Sequence, residues 1–252
     1  MDQNSKALGL KLKTILYNDK VDEMRKFLEE EGGDANFVIQ NDSTPLAMAE
    51  SVEMAKLLLE HGADIHTRYP NIQNFTPLLI QAALGRPDII QLLVDTDPTT
   101  INAKSSYGET ALHLCISRGP WEKALECVKI LVAPERNPKI DINAKSSFSD
   151  YTALDLAVSS RSTEYAKECI LLLLRAGAEP TVHPDLQGRK LVQFVMEEAY
   201  RPPNTEISAN NKGGVGYQRG LTRFTTASSQ TKSKRRRNKK SARKSSRKNR
   251  VI

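Results

Sequence analysis

Two stretches of the chain nearly repeat each other, and their spacing restricts the fold more than any other feature. Asn102-Ala103-Lys104-Ser105-Ser106-Tyr107-Gly108-Glu109-Thr110-Ala111-Leu112 returns as Asn143-Ala144-Lys145-Ser146-Ser147-Phe148-Ser149-Asp150-Tyr151-Thr152-Ala153-Leu154. The two Thr-Ala-Leu runs lie 42 residues apart, and Cys127 and Cys169, each 17 residues past its threonine, keep the same 42-residue offset. Self-similarity at a few tens of residues marks a stack of small units, none of which can bury its apolar face without a neighbour.

The phrase recurs upstream as Thr44-Pro45-Leu46 with Ala49 and Thr76-Pro77-Leu78 with Ala82. Leucine runs follow, Lys56-Leu57-Leu58-Leu59-Glu60-His61-Gly62-Ala63-Asp64-Ile65 and Gln91-Leu92-Leu93-Val94. A threonine hydroxyl can satisfy the free amides of a first helical turn, and proline after it has a helical φ and no amide to satisfy. Thr-Pro therefore predicts a helix start, while Gly62, Gly177 and Gly33 are expected to end second helices in the left-handed region. Each unit reads as helix, tight loop, helix and extended finger.

In this order the pieces resemble the ankyrin repeat over roughly residues 5–200. The resemblance implies an all-α solenoid of helix-loop-helix repeats with β-hairpin-like fingers, a hydrogen bond between Thr110 and His113, and a concave side lined by fingers and first helices. Threonine-to-threonine steps of 32, 34 and 42 residues bracket the family's repeat of about 33. The chain departs from the pattern at Asp42 and Arg161, which stand for glycines, and at Gln81, which stands for a small residue. Only His113 keeps the family histidine; Ala47, Leu79 and Asp155 replace it elsewhere.

A polar helix pair over 5–17 and 21–31 suits an N-terminal cap, since an end repeat must present one face to water. Lys190 stands where a fifth threonine would, and the run to Tyr200 reads as a closing half repeat that Arg201-Pro202-Pro203 stops. The expected organisation is an ankyrin-repeat domain over 1–200, with about four full repeats between caps, and a disordered basic tail over 201–252.

Charge divides sharply at this boundary. Residues 201–252 hold 16 Lys and Arg against one acid, Glu206, while the remainder holds 21 bases and 29 acids. The tail is thus +15 and the body −8. Beyond residue 203 the composition is too polar to offset chain entropy, so disorder is expected. Lys234, Arg235, Arg236, Arg237, Lys239, Lys240, Arg243 and Lys244 have the density of a nuclear or nucleolar import signal recognised by an importin. The same charge can hold RNA or DNA phosphates.

Three readings stand at this point. One is a non-enzymatic adaptor that grips a protein partner on the concave face and is carried to the nucleus or nucleolus by the tail, with the cytoplasm as the alternative location. A second is an RNA- or DNA-binding factor, in ribosome assembly or chromatin, acting through the tail. A third is an acidic chaperone for a basic client such as a ribosomal protein or histone. For the first, fingers supply the contact candidates Arg68, Tyr69, Phe75, Lys104, Tyr107, Lys145, Phe148 and Tyr151, because loop-tip aromatics bury much area at little entropic cost.

No triad, paired-carboxylate site or phosphate loop is found, so no enzyme activity and no cofactor are expected. Cys115, Cys127 and Cys169 lack metal-ligand spacing and read as reduced core thiols, with no metal site. No apolar run reaches membrane-spanning length, and a monomer is expected.

Overall fold

The computed structural model describes residues 3–39, 43–134, 139–160, 163–187 and 190–200 of the 252-residue chain. The polar cap pair folds as α1 (Gln3–Tyr17) and α2 (Val21–Glu29). The first repeat has a four-residue 3₁₀ turn, Pro45–Met48, and α3 (Val52–Glu60). Complete pairs follow: α4 (Pro77–Leu84) with α5 (Pro87–Thr96), α6 (Ala111–Arg118) with α7 (Trp121–Leu131), and α8 (Ala153–Ser159) with α9 (Thr163–Arg175). α10 (Lys190–Ala199) closes the stack against α9.

First elements pack on first elements, from α1 through the 3₁₀ turn to α4, α6 and α8, and second helices on second helices, from α2 to α9. The leucine runs explain this order. Leu57, Leu58, Leu93, Leu131 and Leu173 are buried between layers, so each unit shelters its neighbour's apolar face. Cys115, Cys127 and Cys169 are free, buried thiols. A hydrogen bond with Cys127, reinforced by burial, pushes the Cys115 thiol well up, and burial pushes Cys169 to about 11. Both stay protonated and pack as small apolar groups.

Asparagines lock neighbouring units at matching positions. Asn36 accepts from the Asp64 amide (2.7 Å) and donates to the Gly62 carbonyl (2.9 Å). Asn102 does the same with the Asp141 amide (2.7 Å) and the Lys139 carbonyl (3.1 Å), and Asn143 accepts from the Glu179 amide (2.9 Å).

The third and fourth repeats start their helices as the threonine motif predicts. The Thr110 amide (3.3 Å) and hydroxyl (2.8 Å) both lie on His113 Nδ1, while Nε2 meets the Tyr151 carbonyl of the next finger at 3.0 Å. A carbonyl can only accept, so Nε2 carries the proton and Nδ1 accepts. The fourth repeat achieves the same with a carboxylate. Asp155 Oδ2 takes the Thr152 amide (2.9 Å) and hydroxyl (2.8 Å), and Oδ1 takes the His183 amide beyond (2.6 Å).

The first repeat departs from the expectation that Thr44-Pro45 starts a helix like the others. Thr44 precedes its second helix by 8 residues, whereas Thr76, Thr110 and Thr152 precede theirs by 11. Three residues are nearly one α-helical turn, so only the 3₁₀ turn fits. The Thr44 hydroxyl is diverted to the Tyr69 hydroxyl at 2.6 Å instead of capping. Gln81, buried in α4, donates to the orphaned carbonyls of Ala47 (3.2 Å) and Ala49 (3.3 Å), and Arg86 donates to Ala49 as well.

Two further expectations are corrected. The all-α solenoid holds, but the fingers are not β-hairpins: among the described residues there are no strands, only isolated bridges at Ile39–Ser43 and Tyr69–Phe75. Across the base of each finger runs a backbone bond, with the amides of Ile39, Tyr69, Ser105 and Ser146 donating to the carbonyls of Ser43, Phe75, Glu109 and Tyr151. The very next residue in each case is the threonine that opens a helix or, at Thr44, a 3₁₀ turn, so no second rung can form. Fingers bond sideways instead, Ser106 to Gln73 (2.8 Å) and Ser147 to Tyr107 (2.6 Å). The second correction is that the left-handed residue after α2 is Gly32 (φ 65°), not Gly33; Gly62 and Gly177 are left-handed as expected.

Candidate functional site

The eight finger residues separate into buried, tied and free groups. Tyr69 and Phe75 flank the same finger turn and are 0% and 2% exposed. Burial raises the Tyr69 phenol to about 12, and Phe75 lies under the Arg118 guanidinium at 5.5 Å. Neither has surface to offer a partner. Their finger carries its own 3₁₀ turn, Pro70–Ile72, which folds both rings inward.

The cations are exposed but committed to the stack. Arg68 donates to the carbonyls of Asn74 (3.2 Å) and Lys104 (2.7 Å), stapling one finger to the next. Lys104 pairs with Asp141 at 3.4 Å and Lys145 with Asp150 at 2.9 Å. The hydrogen bond with Asp150 raises the Lys145 pKa. Exposed pairs of this kind contribute little to stability, and a partner's carboxylates can compete for them.

Tyr151 is half-buried, its ring 4.9 Å from that of His183. The free aromatic surface is at Tyr107, 45% exposed, and Phe148, 88% exposed. These equivalent residues of adjacent fingers meet edge to face, with centroids 6.3 Å apart and planes at 63°. They border a cleft of about 290 Å³ with Glu109, Arg118, Ser146 and Ser149. Arg118, from the end of α6, reaches Glu109 at 3.3 Å and Gln73 Oε1 at 3.3 Å. The cleft thus has an aromatic lip and a neutralised, hydrogen-bonding floor.

Gly108 lets these fingers approach. Its φ is +70°, and a Cβ there would lie 2.7 Å from Ser147 Oγ and 3.0 Å from the Ser147 backbone nitrogen. Asn74 and Asp150 take the same left-handed position in the neighbouring fingers, with φ of 57° each. Asparagine and aspartate tolerate that region best among side-chain-bearing residues.

A second opening went unmarked in the sequence reading. Where the first repeat lacks its helical turn, Met48, Ile72, Ile80 and Leu84 border a recess of about 320 Å³, with Lys13, Glu50 and Arg86 at its rim. The available signal was Ala47, which can neither cap nor reach the next unit, in the family histidine's place.

Lys234, Arg235, Arg236, Arg237, Lys239, Lys240, Arg243 and Lys244 lie outside the described residues, as does the whole segment expected to be disordered. Among the described residues no His, Cys, Asp and Glu group is arranged to hold a metal ion, and no helix is long and apolar enough to cross a membrane.

Comparison with known proteins follows the geometry. The family described as ankyrin repeats (3 copies) matches over residues 13–105 and 79–183. Among solved structures, a crystal structure of EF0377, an ankyrin repeat protein, is similar with a TM-score of 0.61 and 23% identity, over 75% of this chain and 94% of that one. No curated protein matches the sequence.

Proposed function

Because the chain belongs to the ankyrin-repeat family, a non-catalytic scaffold, we propose that it is an adaptor whose finger-lined inner wall takes a protein partner, with Tyr107 and Phe148 as anchors. The observation that carries this is the Phe148 ring, 88% exposed and packed edgewise on Tyr107 beside a polar, charge-neutralised cleft. Large aromatics that bury area at low entropic cost dominate protein interfaces. Tyr151 and the exposed Arg68, Lys104 and Lys145 supply the polar rim.

The test is comparative affinity capture on the full chain and on a Tyr107→Ala/Phe148→Ala variant with the same melting temperature. Proteins held by the first and lost by the second support the reading. Identical capture by both contradicts it.

The charge division, +15 over residues 201–252 against −8 before them, favours a second role for the tail. Residues 234–244 act as a nuclear or nucleolar import signal read by an importin, and the same cations hold RNA or DNA. If about six phosphates of a single strand are neutralised, affinity falls with a log-log salt slope of about −4, or about 300-fold over a fourfold rise in salt. Titrating single-stranded RNA into the full chain tests this. A variant with the eight Lys and Arg residues changed to Gln loses the salt-dependent binding and nuclear accumulation. Retention of both by the variant contradicts the role.

A further inference from the structure

We propose that the recess in the first repeat is a docking pocket for a partner segment that carries a bulky aliphatic or aromatic side chain beside an Asp or Glu. This rests on reading the inner wall as a protein-binding surface, and adds a second anchor point and the chemistry it selects. The pocket has a definite origin. The first repeat is three residues short between Thr44 and its second helix, and the missing turn leaves a gap in a row that α4, α6 and α8 otherwise fill.

Next to the gap, α4 leaves Leu84 46% exposed. Met48, Ile72 and Ile80 are half-buried and complete an apolar lining. At about 320 Å³ the space lies at the bottom of the range of about 300–1,000 Å³ for small-ligand pockets. Being open along the wall, it suits a projecting side chain better than an enclosed cofactor.

The rim selects charge. Glu50 is taken by Arg86, whose guanidinium also donates to the Ala49 carbonyl. Lys13, exposed at the α1 edge, has no acidic partner among the described residues. Among the described residues the free charge at the pocket is therefore positive, although residues 1–200 are acidic as a whole. A partner carboxylate beside the inserted side chain pairs with Lys13. The same lysine disfavours a polycationic segment such as this chain's own residues 232–250.

A dodecapeptide phage library is selected on the full chain and the enriched peptides are measured by fluorescence polarisation. Targets are the unaltered chain, Leu84→Asp, Lys13→Glu and Phe148→Ala, each checked for an unchanged melt. The expected peptides carry a Leu, Ile, Met or Phe within a few positions of an acid. They lose at least about tenfold in affinity on Leu84→Asp and several-fold on Lys13→Glu, each factor of ten being equivalent to about 1.4 kcal/mol.

Lys13→Glu changes only a surface charge, so it keeps the test decisive if Leu84→Asp perturbs folding. Peptides that ignore both changes but are lost on Phe148→Ala overturn the pocket and leave the adaptor reading standing. Peptides indifferent to all three substitutions overturn both. Enrichment of basic peptides, or no enrichment, contradicts the pocket. So does a dimer that Leu84→Asp dissociates, which assigns the recess to a second copy.

Discussion

The first repeat and the third and fourth repeats begin from the same threonine, yet one holds a 3₁₀ turn and the others a full helix. In the later repeats the residue three past the threonine closes a capping box and reaches the next unit: His113 to the Tyr151 carbonyl, Asp155 to the His183 amide. In the first repeat that residue is Ala47, which does neither, and support arrives from behind through Gln81 and Arg86. An inner element is thus secured either from its own start, by the third residue in α6 and α8 and by the Thr76 hydroxyl in α4, or by the following repeat. The second way leaves a gap.

The widest effect in this comparison is expected at the histidine. His113→Ala leaves the Thr110 amide without its acceptor and takes from the Tyr151 carbonyl one of its two donors, the Ser146 amide remaining, which costs about 3 kcal/mol, read as a lowered melting temperature. Exchange sharpens the point. His113→Asp sets a carboxylate against the Tyr151 carbonyl, and Asp155→His sets an N–H against the His183 amide, so neither residue works in the other's place.

Burial, against the opposing hydrogen bond to the Tyr151 carbonyl, holds the His113 imidazole below its ordinary value of 6.5. The unfolded chain then binds the extra proton first, so stability is full above pH 6.5 and is lost as pH falls from there toward the lowered folded value. Denaturant melts between pH 8 and 5 show this slope in the unaltered chain and a shallower one in His113→Ala.

Gln81→Ala comes next. It removes the side-chain donor to Ala47 and one of the two to Ala49, where Arg86 remains, and costs about 2 kcal/mol, with the loss of structure confined to residues 45–49. Equal loss of amide protection across α6 would contradict the local support given to the turn.

Much of this was legible. The 42-residue offset of Thr110 and Thr152 did mark equivalent units, because the capping threonine is the fixed point from which each helix and each finger closure is laid down. The threonine at the base of the first repeat misled for a related reason. Threonine spacing sums helix and finger, and the short helix after Thr44 is offset by a long connection from Glu60 to Thr76, so a step of 32 looked ordinary.

The burial of Tyr69 and Phe75 followed from that same long finger, while Tyr107 and Phe148, on fingers without an internal 3₁₀ turn, stayed outside. Hairpin fingers were expected from the resemblance. The closing residue's position directly before a helix start excludes a second rung.

Smaller effects refine the finger end of the comparison. Gly108→Ala forces a left-handed alanine and a Cβ against Ser147, costing about 1–2 kcal/mol and separating the Tyr107–Phe148 pair, seen as lost partner capture. Phe148→Ala, at an exposed tip, changes stability by about 0.5 kcal/mol or less.

Native-state hydrogen exchange of the full chain tests the contrast most directly. The account predicts that amides over 45–49 exchange at least about a hundredfold faster than those of 111–118 and 153–159, through local opening. It also predicts that Gln81→Ala widens this gap while His113→Ala narrows it. Uniform protection across the three inner elements would show that the first repeat is held as firmly as the others, contrary to the account.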